Sequence, residues 1–171
     1  MATFEKIAFT EVGSGGASSI EFNSIQANWT DLCLKLSVKT NRSGTFQANM
    51  LIAFNGVTTN LSSRILRGLD TSANSYSAAS GIEYSADGNG STATSTFGNA
   101  DIYIPNYAGS TNKSLSIDSV AEANEANQFN YLTAGLWSST SVITSIQITS
   151  KDAGTTFLQY STATLYGIKK A

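Results

Sequence analysis

Histidine is missing from this chain of 171 residues. Its absence removes the commonest general base and the commonest metal ligand at neutral pH, and rules out a Ser-His-Asp triad. Cysteine occurs once, at Cys33, so neither an intrachain disulfide nor a thiolate zinc site can form. Cys33 alternates with Leu32 and Leu34 and reads as a small strand side chain. Charge is scarce as well: 13% of residues are charged, about half the usual share of ~25%, and the net charge is −2. The few cations are scattered and adjoin no stacking aromatics, which argues against nucleic acid as a partner. No apolar run approaches the ~18–20 residues of a membrane helix. The start MATFEKIAFTEV lacks a basic segment followed by an apolar one, so no secretory signal is expected. These readings predict a soluble protein made in a cytosol, with no membrane partner. The Asn-x-Ser/Thr triplets at Asn28, Asn41, Asn60, Asn89 and Asn112 then read as polar surface.

Ser, Thr, Asn, Gly and Ala fill the place of charge, a composition suited to strands and turns. Nearly every patterned segment has period two. In LCLKLSVK (32–39), Leu32, Leu34, Leu36 and Val38 face one way, and Cys33, Lys35, Ser37 and Lys39 the other. FEKIAFTEV (4–12) and SSIEFNSI (18–25) flank Gly13-Ser-Gly-Gly16 and read as a hairpin. MLIAF (50–54) is apolar on both faces, as a central strand should be, and ends at the tight-turn pair Asn55-Gly56; LSSRILRG (61–68) follows. Between Asp70 and Gly98 small polar residues dominate, which predicts long exposed loops or an arm around 70–98 with one short strand at 81–85. Strands are predicted again at 100–105, 114–120, 131–139, 142–150, 155–160 and 162–169, with one helical turn at 121–130 and a short N-terminal arm over residues 1–4. Roughly ten short strands with Gly/Asn/Ser turns and no repeat indicate one domain over 1–171. Its expected class is all-β, an antiparallel β-sandwich of jelly-roll or related Greek-key type.

A pair of carboxylates can run a glycosidase. Asp101, Asp118, Glu122 and Glu125 lie in one region, and Asp101 and Asp118 flank one loop, so pairing of their strands would make them neighbours. Asp87-Gly-Asn-Gly-Ser91 resembles the start of a calcium loop, but Gly98 stands where the closing acid belongs; a turn reads better. No serine stands in G-x-S-x-G, and GSGGA (13–17) lacks the lysine of a phosphate loop. Arg64 and Arg67 are the only close arginine pair; their spacing in a strand puts them on opposite faces, either as exposed side chains or as interface anchors. Trp29 and Trp137 have rings that can stack on a sugar, but a tryptophan beside Leu136 in a period-two run reads better as core. The sole proline, Pro105, opens the turn-rich loop Pro105–Asn112 between two strands. That loop reads as a rigid connection at one end of the sandwich, with Tyr107 a candidate contact to a neighbouring subunit.

IYIPNYAGSTNKSLSIDSVAE, YLTAGLWSSTSVITSIQITS and the terminal FLQYSTATLYGIKKA, together with VGSGGASSIEFNSI, WTDLCLKLSVK, LIAFNG and RILRG, resemble a family of small virion-associated proteins of tailed bacteriophages. The likeness covers most of the chain and is weakest over 70–98. It implies a non-enzymatic structural protein, of the capsid decoration or cement kind, and brings no catalytic, metal or cofactor residue. It implies also a homo-oligomer, with a trimer the expected form, the major capsid protein as partner, and a place on the virion surface. Arg64, Arg67 and Tyr107 are the candidate interface residues. The competing reading is a tail or fibre module that binds a host-surface glycan, which would expose Tyr76, Tyr84, Tyr107 and Trp137 on one loop cluster.

Overall fold

The computed structural model describes residues 3–43, 47–69, 71–87, 96–122 and 129–169. Their strands form two antiparallel sheets. The smaller contains β2 (Ser19–Phe22), β4 (Ala48–Phe54), β7 (Ile82–Asp87) and β11 (Ile146–Ser150). The larger contains β1 (Thr3–Glu11), β3 (Asp31–Val38), β5 (Leu61–Leu69), β6 (Ser72–Ala78), β8 (Gly98–Ile104), β9 (Lys113–Ala121), β10 (Phe129–Trp137) and β12 (Thr162–Lys169). The small sheet runs in the order β2-β11-β4-β7, and the large one β1-β12-β3-β8-β9-β10-β5-β6. The chain is thus an all-β sandwich whose eight-stranded layer extends past its four-stranded one.

Alternation decides which side chains meet between the layers. Leu32, Leu34, Leu36 and Val38 all enter the core, as their period predicts. Ile20, Phe22, Met50, Ile52, Phe54, Ile146 and Ile148 enter it from the small sheet. Each such side chain, fully buried, contributes about 1.5–3 kcal/mol. MLIAF is the central strand expected, paired on one side with β11 and on the other with β7. Asn55 (φ 54°) and Gly56 (φ 69°) make its turn, closed by Val57 N donating to Phe54 O at 2.8 Å. Cys33 points away from the core yet is buried, because its register neighbours on either side are Tyr103 and Tyr166. Trp137 packs in the core on Phe54, with ring centroids 5.6 Å apart. Trp29 lies against Gly167, where a Cβ would stand 2.1 Å from the indole Cδ2.

Several expectations are corrected. The Gly13–Gly16 turn joins no hairpin: β1 pairs with β12 and β2 with β11, so the turn carries the chain between sheets. Thr3 and Phe4 are paired strand residues rather than an arm; residues 1–2 lie outside the described residues. Within the supposed loop at 70–98 the short strand expected at 81–85 is present as β7, while β6 is strand where loop was expected; 70 and 88–95 lie outside the described residues. TTFLQY is no strand: Phe157 makes isolated bridges to Ala17 and Thr40, and a turn follows. Of the helical turn at 121–130, residues 123–128 lie outside the described residues, while Ala121 ends β9 and Phe129 and Asn130 open β10.

β7 is buried on both faces despite its polar residues. Ile82, Tyr84 and Ala86 face the core, while Glu83, Ser85 and Asp87 alternate with them and are buried too. Burying such groups is tolerable only when they are bonded. Lys151 Nζ lies 2.7 Å from Glu83, Ser85 Oγ donates to Ala48 O at 2.7 Å, and Asp87 accepts from Thr40 N at 2.7 Å. Ser63 and Thr133 reach across from the large sheet to the backbone of Glu83, each at 3.2 Å.

Candidate interaction surface

The outer face of the large sheet is built from the residues that alternate with the core set. Its register aligns Asp101, Asp118, Leu132, Leu66 and Ser75 in one row across β8, β9, β10, β5 and β6. The next row reads Tyr103, Ser116, Ala134, Arg64 and Ser77. Leu66 and Leu132 therefore face each other, 53% and 55% exposed, with Leu136 exposed nearby on β10. Arg64 stands on this face, bonded to Ser77 Oγ on β6. It lines two shallow depressions, of about 400 and 380 Å³, whose other walls include Leu66, Leu132, Ala134 and Leu136. Small neighbours such as Ser62, Ser77 and Ala134 leave the arginine and the leucines standing proud. β6 ends the sheet, and its far edge pairs with no strand among the described residues. Its sequence SANSYSA has neither lysine nor proline to protect that edge.

Arg67 lies on the opposite face, as the spacing of three predicts. Its guanidinium sits 5.8 Å from the Tyr76 ring centre and 6.0 Å from that of Tyr131, and reaches the Tyr131 hydroxyl at 3.5 Å. Burial, then the neighbouring Tyr131 and Glu83, push the Tyr76 hydroxyl far above its usual range. Tyr131 donates to Gln47 at 2.9 Å, and Tyr76 to Glu83 at 3.4 Å. The cluster fills the space beside β7, packed with Ile65 and Phe129. Arg67 is a structural cation rather than a surface anchor.

Tyr107 is also inside, which corrects its reading as a contact to a neighbour. Its hydroxyl donates to Gln26 O and accepts from Trp29 N at 3.3 Å, and its carbonyl accepts from Ile143 N at 3.1 Å. The loop around it is tied down at several points. Asn106 adopts φ 49° and donates through its backbone N to Asp31 at 2.8 Å. Buried Lys113 donates to the carbonyls of Gly109 and Thr111 at 2.6 and 2.5 Å, and burial draws its pKa down. Pro105–Asn112 is therefore a plug that closes one end of the sandwich.

The aromatics expected of a glycan binder are mostly unavailable: Tyr84, Tyr107 and Trp137 are buried, and Tyr76 lies beneath Arg67. Asp101 and Asp118 are opposite one another, as the strand pairing predicts. Both are exposed, and Asp101 is ion-paired to Lys35, whose pKa rises through that bond. Asp87, the first position of the calcium-like run, has its carboxylate turned onto Thr40, and 88–91 lie outside the described residues. Among the described residues no three His, Cys, Asp or Glu side chains converge as metal ligands. Of the three candidate interface residues the structure leaves only Arg64 on an open face. The sequence missed its leucine neighbours, although their alternation with Ile65 and Thr133 was the available signal.

No family model matches this chain, and no curated protein matches it.

Proposed function

We propose that the protein is a non-enzymatic structural component of a bacteriophage virion, a capsid decoration protein that binds the outside of the head and stabilises it. The observation that carries this reading is the uncovered apolar row at Leu66 and Leu132 around Arg64. Contiguous exposed apolar groups on a rigid sheet are unfavourable in isolation and suit an interface. A ring needs two unlike patches, one complementing the other. The large sheet carries a second patch at its opposite edge, where Phe4 and Phe9 of β1 are more than half exposed. Contact between these two ends of neighbouring copies would close a homotrimer, and three copies acting together would hold the major capsid protein more tightly than one. The sequence resemblance to phage virion proteins supports the same reading.

The strand orders also support a jelly roll. β1-β12-β3-β8 over β2-β11-β4-β7 forms two four-stranded layers. In this reading β5 with β6, and β9 with β10, are additions that extend the first layer. The additions carry the apolar row, while β1 of the basic sandwich carries the second patch at Phe4 and Phe9.

Purified protein added to heads that lack it is expected to bind at a fixed number of copies per head and to raise their resistance to heat. Binding without saturation, or saturation without added resistance, would contradict the proposal.

A further inference from the structure

The end of the sandwich opposite the Pro105–Asn112 plug carries an open groove of about 420 Å³. Four stretches of chain converge on it: the Ser14–Gly16 turn, Lys39 with Asn41, Phe97, and the segment from Thr156 to Tyr160. Tyr160 is the odd residue. It holds φ 70°, a left-handed conformation that bulky side chains adopt at a cost. Asparagine fills three of the other left-handed positions, at Asn55, Asn60 and Asn106. The backbone at Tyr160 is fixed from both sides. Tyr160 N donates to Val12 O at 3.0 Å, and Ser161 N to Leu158 O at 3.1 Å. Val12 N donates to Ser161 O at 2.8 Å, and Ser161 Oγ to Lys39 O at 3.0 Å. These bonds involve main chain and Ser161 alone; none requires a tyrosine ring. Core packing does not require it either, since Tyr160 is 63% exposed.

We infer that this groove is a binding site for a short acidic oligosaccharide. An exposed phenol ring offers a flat face to the C–H face of a sugar, and Phe97, 37% exposed, offers a second ring in the same groove. Asn41 turns its carbonyl oxygen onto Thr156 N at 2.8 Å, so its amide donors remain for vicinal hydroxyls. Gln159 adds a further exposed amide. Among the described residues Lys39 has no carboxylate partner, and its ammonium suits the carboxylate of a uronic or sialic acid. A purely apolar ligand would leave these polar groups unmatched, and one lysine on a chain of net charge −2 is too little for a nucleic acid backbone. β9 and β10 stand between β8, which Phe97 precedes, and β5, which carries Arg64, so the inference stands apart from the assembly reading.

The test is an array of neutral and acidic oligosaccharides probed with the full chain and with two variants, Tyr160→Asn and Lys39→Gln. The wild type is expected to retain uronate- or sialate-bearing sugars. Tyr160→Asn should weaken that retention about tenfold or more while leaving Tm unchanged or higher, since asparagine accepts the left-handed backbone. Lys39→Gln should erase the preference for acidic over neutral sugars. The inference is overturned if the wild type retains no sugar, if it retains neutral sugars only, or if Tyr160→Asn binds as well as the wild type. A fall in Tm with binding intact would make Tyr160 a structural residue and overturn it equally.

Discussion

Tyr84 lies wholly inside the sandwich, and among the described residues its hydroxyl has no hydrogen-bond partner. Burial alone pushes that phenol far above its usual range. An unsatisfied buried hydroxyl costs roughly 1–3 kcal/mol, so Tyr84→Phe should raise stability by about 1 kcal/mol, read from urea unfolding midpoints at constant slope. A loss of stability would show that the hydroxyl is bonded. Glu21 is the opposite case, an exposed carboxylate that gains partners. Gln147 donates to it at 2.7 Å and Ser19 at 2.8 Å, in that order of influence, and hold its pKa below the usual glutamate value. Between its folded and unfolded values the unfolded chain binds more protons. Its small contribution to stability is therefore present at neutral pH and fades as pH falls through the unfolded value and then the folded one. An NMR titration should place the Glu21 midpoint below 4.5, and Gln147→Ala should move it upward; an unmoved midpoint would contradict the assignment. At this scale the sequence is legible where a residue's chemistry is local. Asn55-Gly56 states its turn in two letters. Tyr107 does not state its burial, because Gln26, Trp29 and Ile143, which receive it, lie far away in the chain.

Strands are legible when alternation separates apolar from polar, as in β3, β9 and β10. β7 is legible as the short strand at 81–85, but the burial of its outward polar side chains is not, since Lys151, Thr40 and Ala48 from elsewhere in the chain satisfy them. β6 hides because it is an edge strand, mostly exposed, with no apolar face to display. Phe157 shows the reverse error: an apolar residue in a strand-like run that enters the core from a loop. The apolar row on β5 and β10 sits between these cases, since Leu66 and Leu132 follow the strand period but occupy its outward phase. Their exposure leads to a prediction about the elements rather than the core. The pair Leu66→Gln and Leu132→Gln should leave the subunit folded, with an unchanged far-UV circular dichroism spectrum, because both side chains lie outside the core. The proposal expects the wild type to sediment as a trimer and the same double variant as a monomer. A double variant that still sediments as a trimer would assign the row no part in assembly.

For the molecule as a whole, composition and period sufficed for the class: little charge, many turn residues and strands of period two make an antiparallel sandwich. They did not give the unequal layers, since strand partners so distant in sequence leave no local trace. The inequality matters most for the account of function. The larger sheet ends in β5 and β6, with an open outer face, a bare edge at β6 and Arg64 between leucines. The opposite edge carries exposed Phe4 and Phe9, so the large sheet has exposed apolar side chains at both ends. The end loops divide in character too, one closed by the Tyr107 plug and the other open at the Tyr160 groove. The most direct measurement of the central claim is immunogold labelling of intact virions with antibody against this protein. The account predicts label distributed over the head; label confined to the tail would contradict it.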